Sequence, residues 1–600
     1  MTYKAPVRDY GFLIKDVFNT DQYHDTPGFA DADSETVMAI LEEAARFTEE
    51  VVAPLNPTGD KEGCTLDPQT HEVTAPKGYK EAYKALTEAG WTALSGDPQY
   101  GGQGLPHFVN TAFSEMLSGA SSAFGMYPGL TEGAISALTA GGTDEQKALY
   151  LPRLISGEWS GTMNLTEPHC GTDLGLLRTK AVKADDGSYR ITGQKIWISA
   201  GEHDFTGNIC HLVLARLEGA PAGVKGISLF LVPKFLPDAD GNPGERNALQ
   251  CAGLEHKMGI HGNSTCVMVY EDAKGFLLGQ ENEGLKIMFY MMNSARYGVG
   301  LQGLAIGHAA YEAAAAFAKD RLQGRALTGP KSPDKPADSI LVHPDVRRML
   351  LESRALIEGG RAFLVWGALQ ADFQHRATDE KAREKASDYM GLLTPVIKAY
   401  LTEKGFKITS DAMQVHGGSG FTEHFPASQY MRDVRITMIY EGTNGVQALD
   451  LVGRKLPSKG GRALQTFFAE VDAYVAAEEA GSKVPQYVAA LKTAKAKLMD
   501  GTMWLMQNGM GNPDNAAAGS LDYLCLFGLT CMSYMWAMMA KAAQAAIDAG
   551  PQDGSGDPFY ATKLKIGRVF LERILPEADA HLAKMKGGAE ALMALEDELF

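Results

Sequence analysis

Residues 407–447, KITSDAMQVHGGSGFTEHFPASQYMRDVRITMIYEGTNGVQ, carry the features around which the rest of the chain is arranged. A helix-length run brings Gln414 up to Gly417-Gly418, where the absence of side chains lets the backbone turn and lets another body come close. A second run leads from Arg432-Asp433 to Ile439-Tyr440-Glu441-Gly442-Thr443. Glu441 stands between an aromatic ring and a glycine, after the apolar residues Ile436, Met438 and Ile439. Burying a carboxylate without a partner is costly. If Glu441 faces an apolar pocket, its pKa rises toward the range in which it can take a proton from carbon. The residue taken alone reads more readily as a solvated glutamate at a helix end.

Around this segment the periodicity is helical. Residues 285–317 form a long run rich in Ala and Gly, and 346–374 and 382–414 are further long helices, with Pro395 a place for a kink. Helices of this length and number make a bundle over 281–455. Upstream, between 159 and 280, the pattern changes to short alternating stretches (YRITGQKIWIS, HLVLARL, GISLFLVPKF, TCVMVYEDA) broken by Gly, Asp and Asn. That is the signature of a small β-barrel or sandwich. Residues 1–158 read as helical. Asp33 or Ser34 caps a segment ended by Pro54, helices follow over 80–89, 109–124 and 130–140, and Thr143 with Gln146 offers a capping box to the next. After the polar KLPSKGG, residues 456–600 form an extra helical unit. The expected fold is therefore α+β but mainly α: an N-terminal helical domain, a central barrel, a four-helix bundle and an extra C-terminal helical domain. Within the last, YLCLFGLTCMSYMWAMMA (523–540) is an uncharged run of 18 residues, at the lower limit for a membrane span. Its Gly528, Thr530, Ser533 and many methionines favour the buried centre of a packed bundle.

The chain has 600 residues and a formal net charge of −17, which disfavours a nucleic-acid surface. Its seven cysteines, at 64, 170, 210, 251, 266, 525 and 531, are scattered without a C-x-x-C pair, as suits a reducing compartment and offers no zinc site. The first residues lack a basic region followed by an apolar run, and Asp9 and Asp16 weaken a transit-peptide reading, so a cytoplasmic location is expected. No nucleotide-binding glycine motif or H-E-x-x-H is present, and Gly417-Gly-Ser-Gly420 runs into Phe421 rather than completing G-x-S-x-G. His256 and His261 are five apart across glycines, without the set of carboxylate or Cys partners a metal site needs, and no metal is expected.

Several motifs in order resemble the acyl-CoA dehydrogenase flavoprotein family, over residues 35–452. Thr143-Asp-Glu-Gln-Lys147 through Ser156-Gly157 is similar to the family's approach to its β-domain. Leu165-Thr166-Glu167-Pro168 with Gly171-Thr172-Asp173 resembles its T-E-P-x-x-G-[ST]-D motif, and Gly193-Gln194-Lys195-Ile196-Trp197-Ile198-Ser199 its G-x-K-x-[WY]-I-[TS] strand. Met431-Arg432-Asp433 followed by Ile439-Tyr440-Glu441-Gly442-Thr443 resembles its signature near the end of the bundle.

The resemblance implies FAD as cofactor and α,β-dehydrogenation of an acyl-CoA thioester. Glu441 takes the α-proton while hydride leaves the β-carbon for the flavin. It implies a cofactor set of Met163, Leu165, Thr166, Gly171, Thr172, Trp197, Ser199 and Thr443, with Trp197 as flat cover for the ring. Arg321, Gln414, Gly417 and Gly418 hold the adenine half of a flavin across the contact of a homodimer; the family's R-x-x-F-G here reads Arg321-Leu-Gln-Gly-Arg325. Tyr440 and Gly442 shape the thioester slot and Arg296 meets the CoA arm. An electron-transferring flavoprotein is the implied acceptor. Among long members, YKAPVRDYGFLIKDVF, Glu255-His-Lys-Met-Gly-Ile-His-Gly262 and Tyr440-Glu-Gly-Thr-Asn-Gly-Val-Gln447 look most like bacterial enzymes acting on the CoA thioester of a short thioether acid, formed in dimethylsulfoniopropionate breakdown. Alternatives are a general short- to long-chain dehydrogenase of fatty-acid β-oxidation, an acyl-CoA oxidase, and a helical scaffold that has lost catalysis.

Overall fold

The computed structural model describes residues 3–238, 240–550 and 558–600. Helix α1 (Ser34–Phe47) begins where Asp33 accepts hydrogen bonds from the backbone N–H groups of Glu35 and Thr36, at 3.0 and 2.9 Å. It is followed by α2 (Tyr79–Glu88), α3 (His107–Ala120), α4 (Ser122–Gly141) and α5 (Asp144–Ile155). The break expected after residue 124 falls earlier, at the extended Ser121, whose hydroxyl caps α4; that helix then runs on through Pro128. At α5 the capping box is present, with Thr143 N–H donating to Gln146 Oε1 (3.0 Å) and Gln146 N–H to Thr143 Oγ1 (3.2 Å). The same Gln146 amide donates to the carbonyl of Leu277 at 3.0 Å, tying this helix start to the domain that follows.

The strands are β1 (Trp159–Asn164), β2 (Lys180–Lys183), β3 (Tyr189–Ser199), β4 (Asn208–Leu217), β5 (Ile227–Pro233), β6 (Leu249–Leu254) and β7 (Thr265–Leu277). Their order is β6-β7-β3-β2-β4-β1, and β5 pairs with both β4 and β7. The ring β7-β3-β2-β4-β5 therefore closes into a small barrel, with β1 and β2 parallel to β4 and the remaining pairs antiparallel. Closure leaves only β1 and β6, outside the ring, as edges of this sheet. The alternation in β3 and β7 was legible in sequence; β1, β2 and β6 were not, being short and mixed in character.

The bundle consists of α6 (Gly284–Asp320), α7 (Pro344–Arg376), α8 (Glu380–His416), α9 (Ala427–Arg435) and the short α10 (Asn444–Asp450). Its glycines set how close α6 and α8 lie. A Cβ on Gly405 would sit 2.2 Å from the carbonyl oxygen of Gly303, and one on Gly300 would sit 2.7 Å from that of Ile397. Pro395 lies inside α8, which is continuous.

Beyond the bundle come α11 (Arg462–Glu479), α12 (Pro485–Asn508), α13 (Pro513–Ala549), α14 (Phe559–Val569) and α15 (Glu577–Lys586). Helix α13 holds the long apolar run. Its most apolar window has a mean hydropathy of 1.4 and is 94% buried within the protein. What covers it is the bundle: a Cβ on Gly528 would meet the Tyr400 ring at 2.4 Å, and one on Gly359 would meet Trp536 Nε1 at 2.7 Å. One apolar core runs from Tyr10 and Leu41 through Phe363 and Tyr400 to Phe527 and Met585, so helices after 456 share the core of the bundle. A buried charge network crosses it. Arg361 reaches Glu115 (2.6 Å) and Asp9 (2.9 Å), and Lys563 reaches Asp9 (2.5 Å) and Glu358 (2.8 Å). Removing one member of such a buried network strands its partners, at a cost of about 3–5 kcal/mol.

Candidate active site

Glu441 sits in a turn that its neighbours over-determine. Its φ is +57° and that of Gly442 is +82°. A left-handed glutamate is uncommon and stores strain that the surroundings must hold in place. Gln447 Nε2 donates to the Glu441 carbonyl at 3.0 Å. Thr443 caps α10, its Oγ1 accepting from Val446 N–H at 3.3 Å. Asn444 is buried against α8, donating to Glu403 Oε1 (2.9 Å) and Thr402 Oγ1 (3.1 Å) and accepting from Lys398 Nζ (2.9 Å). Tyr440 donates its hydroxyl hydrogen to Gln302 Oε1 on α6.

So held, the half-buried Glu441 opens onto a cavity of about 1740 Å³, lined also by Tyr440, Gln302, Tyr297, Ser199 and Phe113. Among the described residues nothing hydrogen-bonds to its carboxylate. Burial pushes its pKa up to about 7, while the cations of Arg296 and Lys398 pull the other way. This is the environment that suits a general base working near neutrality. The Arg296 side chain is 7% exposed and pairs with Asp450 at 3.6 Å. Its influence on the site is through charge.

Asp433 does different work. Its Oδ1 accepts from Ile260 N–H at 2.5 Å and its Oδ2 from Gln429 Nε2 at 3.2 Å. Arg432 forks onto Asp60 at 2.9 and 2.5 Å and also reaches the Met258 carbonyl at 3.1 Å. Asp60 pairs in turn with His261 at 2.7 Å, a carboxylate partner for that histidine which sequence proximity did not reveal. The Arg-Asp pair thus clamps the 255–262 loop and the N-terminal helices to the bundle. Gly259 is needed there, since a Cβ would come within 2.6 Å of the Arg432 backbone.

On the barrel, Trp197 is 60% exposed and has φ +59°, beside a register shift in the β3–β7 pairing. It is a flat aromatic surface turned out of the core. The loop after β1 is fixed beside it. Ile196 N–H donates to the Thr166 carbonyl at 2.9 Å, and Lys195 Nζ donates to the Leu165 carbonyl at 3.0 Å and to Glu167 at 2.8 Å. Glu167 also accepts from Arg178 N–H (2.7 Å), Thr179 N–H (3.0 Å) and Thr179 Oγ1 (2.6 Å). The motif glutamate and lysine are therefore the scaffold of this loop, and sequence reading passed over both. With those oxygens engaged, the neighbouring His169 and Cys170 gain no free carboxylate for a metal. Met163, Leu165, Thr166 and Ser199 are half-buried here and Gly171 and Thr172 exposed.

Arg321, Gln414, Gly417 and Gly418 are exposed together at one end of the bundle and do not line the Glu441 cavity. The Arg321 guanidinium lies 4.8 Å from the Phe317 ring, and the His416 ring lies 4.5 Å from the same ring. Cβ atoms on Gly417 or Gly418 would meet nothing of this chain within 4 Å. An outward aromatic face, hydroxyl and backbone donors at Thr166 and Ser199, and a free guanidinium beside open glycines are a donor set that fits FAD.

The comparisons agree with this geometry. Family models match in succession: the acyl-CoA dehydrogenase N-terminal domain at 34–158, its middle domain at 162–273 and its C-terminal domain at 282–456. An acetyl-CoA dehydrogenase C-terminal-like model matches 467–596. The chain belongs to the acyl-CoA dehydrogenase family. It is an FAD-dependent acyl-CoA dehydrogenase, an oxidoreductase acting on a carbon–carbon single bond. It is 42% identical to the 3-methylmercaptopropionyl-CoA dehydrogenase of Ruegeria pomeroyi over 99% of both chains. It is 35% identical to the broad-specificity linear acyl-CoA dehydrogenase of Mycobacterium tuberculosis over 96% of both. Its fold matches the FAD-complexed acyl-CoA dehydrogenase of Bacillus anthracis with a TM-score of 0.73, at 21% identity, covering 99% of this chain and 93% of that one.

Proposed function

We propose that this chain oxidises 3-methylmercaptopropionyl-CoA to methylthioacryloyl-CoA, with Glu441 as the base. The substrate rests on the 42% identity over 99% of both chains to a 3-methylmercaptopropionyl-CoA dehydrogenase. The base rests on the left-handed Glu441, whose carboxylate has no hydrogen-bond partner among the described residues, faces the cavity and has its pKa raised to about 7. As a carboxylate it takes the α-proton onto Oε and holds it. Tyr440 and Gly442 confine the thioester on either side of it, and fixed donors polarise the thioester carbonyl, since the α-proton is weakly acidic. FAD, when bound, supplies the hydride acceptor. Trp197 covers its ring, Met163, Leu165, Thr166, Ser199, Gly171 and Thr172 furnish apolar contact and donors, and Thr443 holds the turn that presents Glu441. Arg321, Gln414, Gly417 and Gly418, exposed with nothing of their own chain against the glycines, meet the cofactor of a second copy, so the working unit is a homodimer. Electrons then pass to an electron-transferring flavoprotein. The seven free cysteines suit a cytoplasmic location.

Anaerobic bleaching of the yellow holoenzyme by a panel of CoA thioesters tests the substrate. The methylthio compound is expected to reduce the flavin fastest, ahead of butyryl-, pentanoyl- and octanoyl-CoA. The 35% identity to a broad-specificity linear acyl-CoA dehydrogenase supports, as second reading, a dehydrogenase of linear acyl-CoAs. On that reading flavin reduction quickens with chain length and the methylthio compound has no advantage over pentanoyl-CoA.

A further inference from the structure

Lys398 is a lysine with no exposed surface in the middle of α8. A buried ammonium is expensive unless something on the spot requires it. Among the described residues its ammonium makes one hydrogen bond, to Asn444 Oδ1 at 2.9 Å. Asn444 opens α10 immediately after the Glu441 turn, and its own amide is fixed by Thr402 and Glu403. The lysine is thus attached to the segment that carries the base, on the side away from the cavity. We propose that Lys398 is a positioning residue for catalysis: its charge, delivered through the Asn444 anchor, sets the protonation of Glu441 and so the pH range in which the enzyme works.

The charges facing this group come from every element packed around it. Arg296 on α6 stands with its partner Asp450 on α10, and Arg454 follows on the next turn, paired with the same aspartate at 2.6 Å. Glu403 lies on α8 itself, and Tyr440 is kept neutral by burial. Of these, Arg296 and Lys398 are the cations that act on Glu441. Arg296 shares its charge with Asp450, whereas Lys398 is attached to a neutral amide. Burial brings the pKa of Lys398 down to about 7, opposed by Glu441 and Glu403. The carboxylates of Glu441 and Glu403 thus hold the lysine's charge against burial, as its charge favours the ionised Glu441. A nearby cation favours the ionised form of a carboxylate and lowers its pKa. Without Lys398, Glu441 would keep its proton to higher pH.

The proposal rests on Glu441 being the base, and the test separates the two. The pH dependence of anaerobic bleaching by substrate is compared in holoenzymes of wild type, Lys398→Gln, Lys398→Met and Lys398→Arg. In both neutral variants the midpoint is expected to move upward by about one unit or more, so that activity lost at neutral pH returns in alkali. Lys398→Arg keeps the charge and should restore the wild-type midpoint. The carboxylic C=O stretch of Glu441, taken as the infrared difference from Glu441→Gln, should titrate with the same shift. If the neutral variants fail to fold, Glu403→Gln serves. It removes an anion that supports the lysine charge, and a smaller upward shift is expected. Slower bleaching with an unmoved midpoint and an unmoved infrared titration would overturn the role of Lys398. Bleaching by Glu441→Gln would overturn the base assignment instead.

Discussion

Asp433 and Glu441 stand eight residues apart on one segment, and burial raises the pKa of both, to about 6 and about 7. Their surroundings differ. Asp433 is 3% exposed and spends its oxygens on Ile260 N–H and the Gln429 amide, joining a loop to the bundle. Glu441 opens onto the cavity, and its carboxylate has no hydrogen-bond partner among the described residues. A shifted pKa is therefore not by itself a mark of catalysis. The distinction lies in whether the oxygens are already engaged. An engaged carboxylate is structure, and an unengaged one held in a strained turn is available for chemistry.

Exchanging the two acids for inert residues separates their roles. Glu441→Gln should lower turnover by roughly a thousandfold or more while leaving the unfolding midpoint near that of wild type, as read by steady-state kinetics and thermal melts. Asp433→Ala should do the reverse. Losing an acceptor for a buried backbone N–H costs about 2–3 kcal/mol of stability, measurable by denaturant titration, with a much smaller loss of turnover per folded molecule. A third variant probes the other end of the segment. Gly418→Val meets nothing of its own chain, so the subunit should fold as before. FAD retained after gel filtration should nonetheless fall several-fold, and the dimer should loosen, if a second copy approaches there. Unchanged flavin content would place the cofactor contact elsewhere.

Much of this was legible in the linear sequence where chemistry is encoded in neighbouring residues. The capping box at Thr143–Gln146, the Trp197 strand, the Arg432-Asp433 pair and the Glu441 turn each announce themselves within a few positions. What was not legible depends on partners far apart in the chain. His261 finds Asp60, Glu115 finds Arg361, and Lys398 finds Asn444, and no local pattern joins them. The Arg296–Asp450 pair was hidden for the same reason, because the aspartate arrives from another helix. The shared core of the bundle and the helices after 456 was equally hidden. Periodicity shows that α13 is apolar, but not that Tyr400 and Gly359 of the bundle are what it packs with.

The central claim is that Glu441 takes the proton. Stopped-flow bleaching of wild type and Glu441→Gln by 3-methylmercaptopropionyl-CoA, without oxygen and across pH 5 to 9, tests it most directly. The base must be deprotonated to act, so the wild-type rate should climb about tenfold per unit up to a midpoint near 7 and then level off. Glu441→Gln should stay yellow throughout. Bleaching of that variant with the wild-type midpoint would assign the proton to another residue.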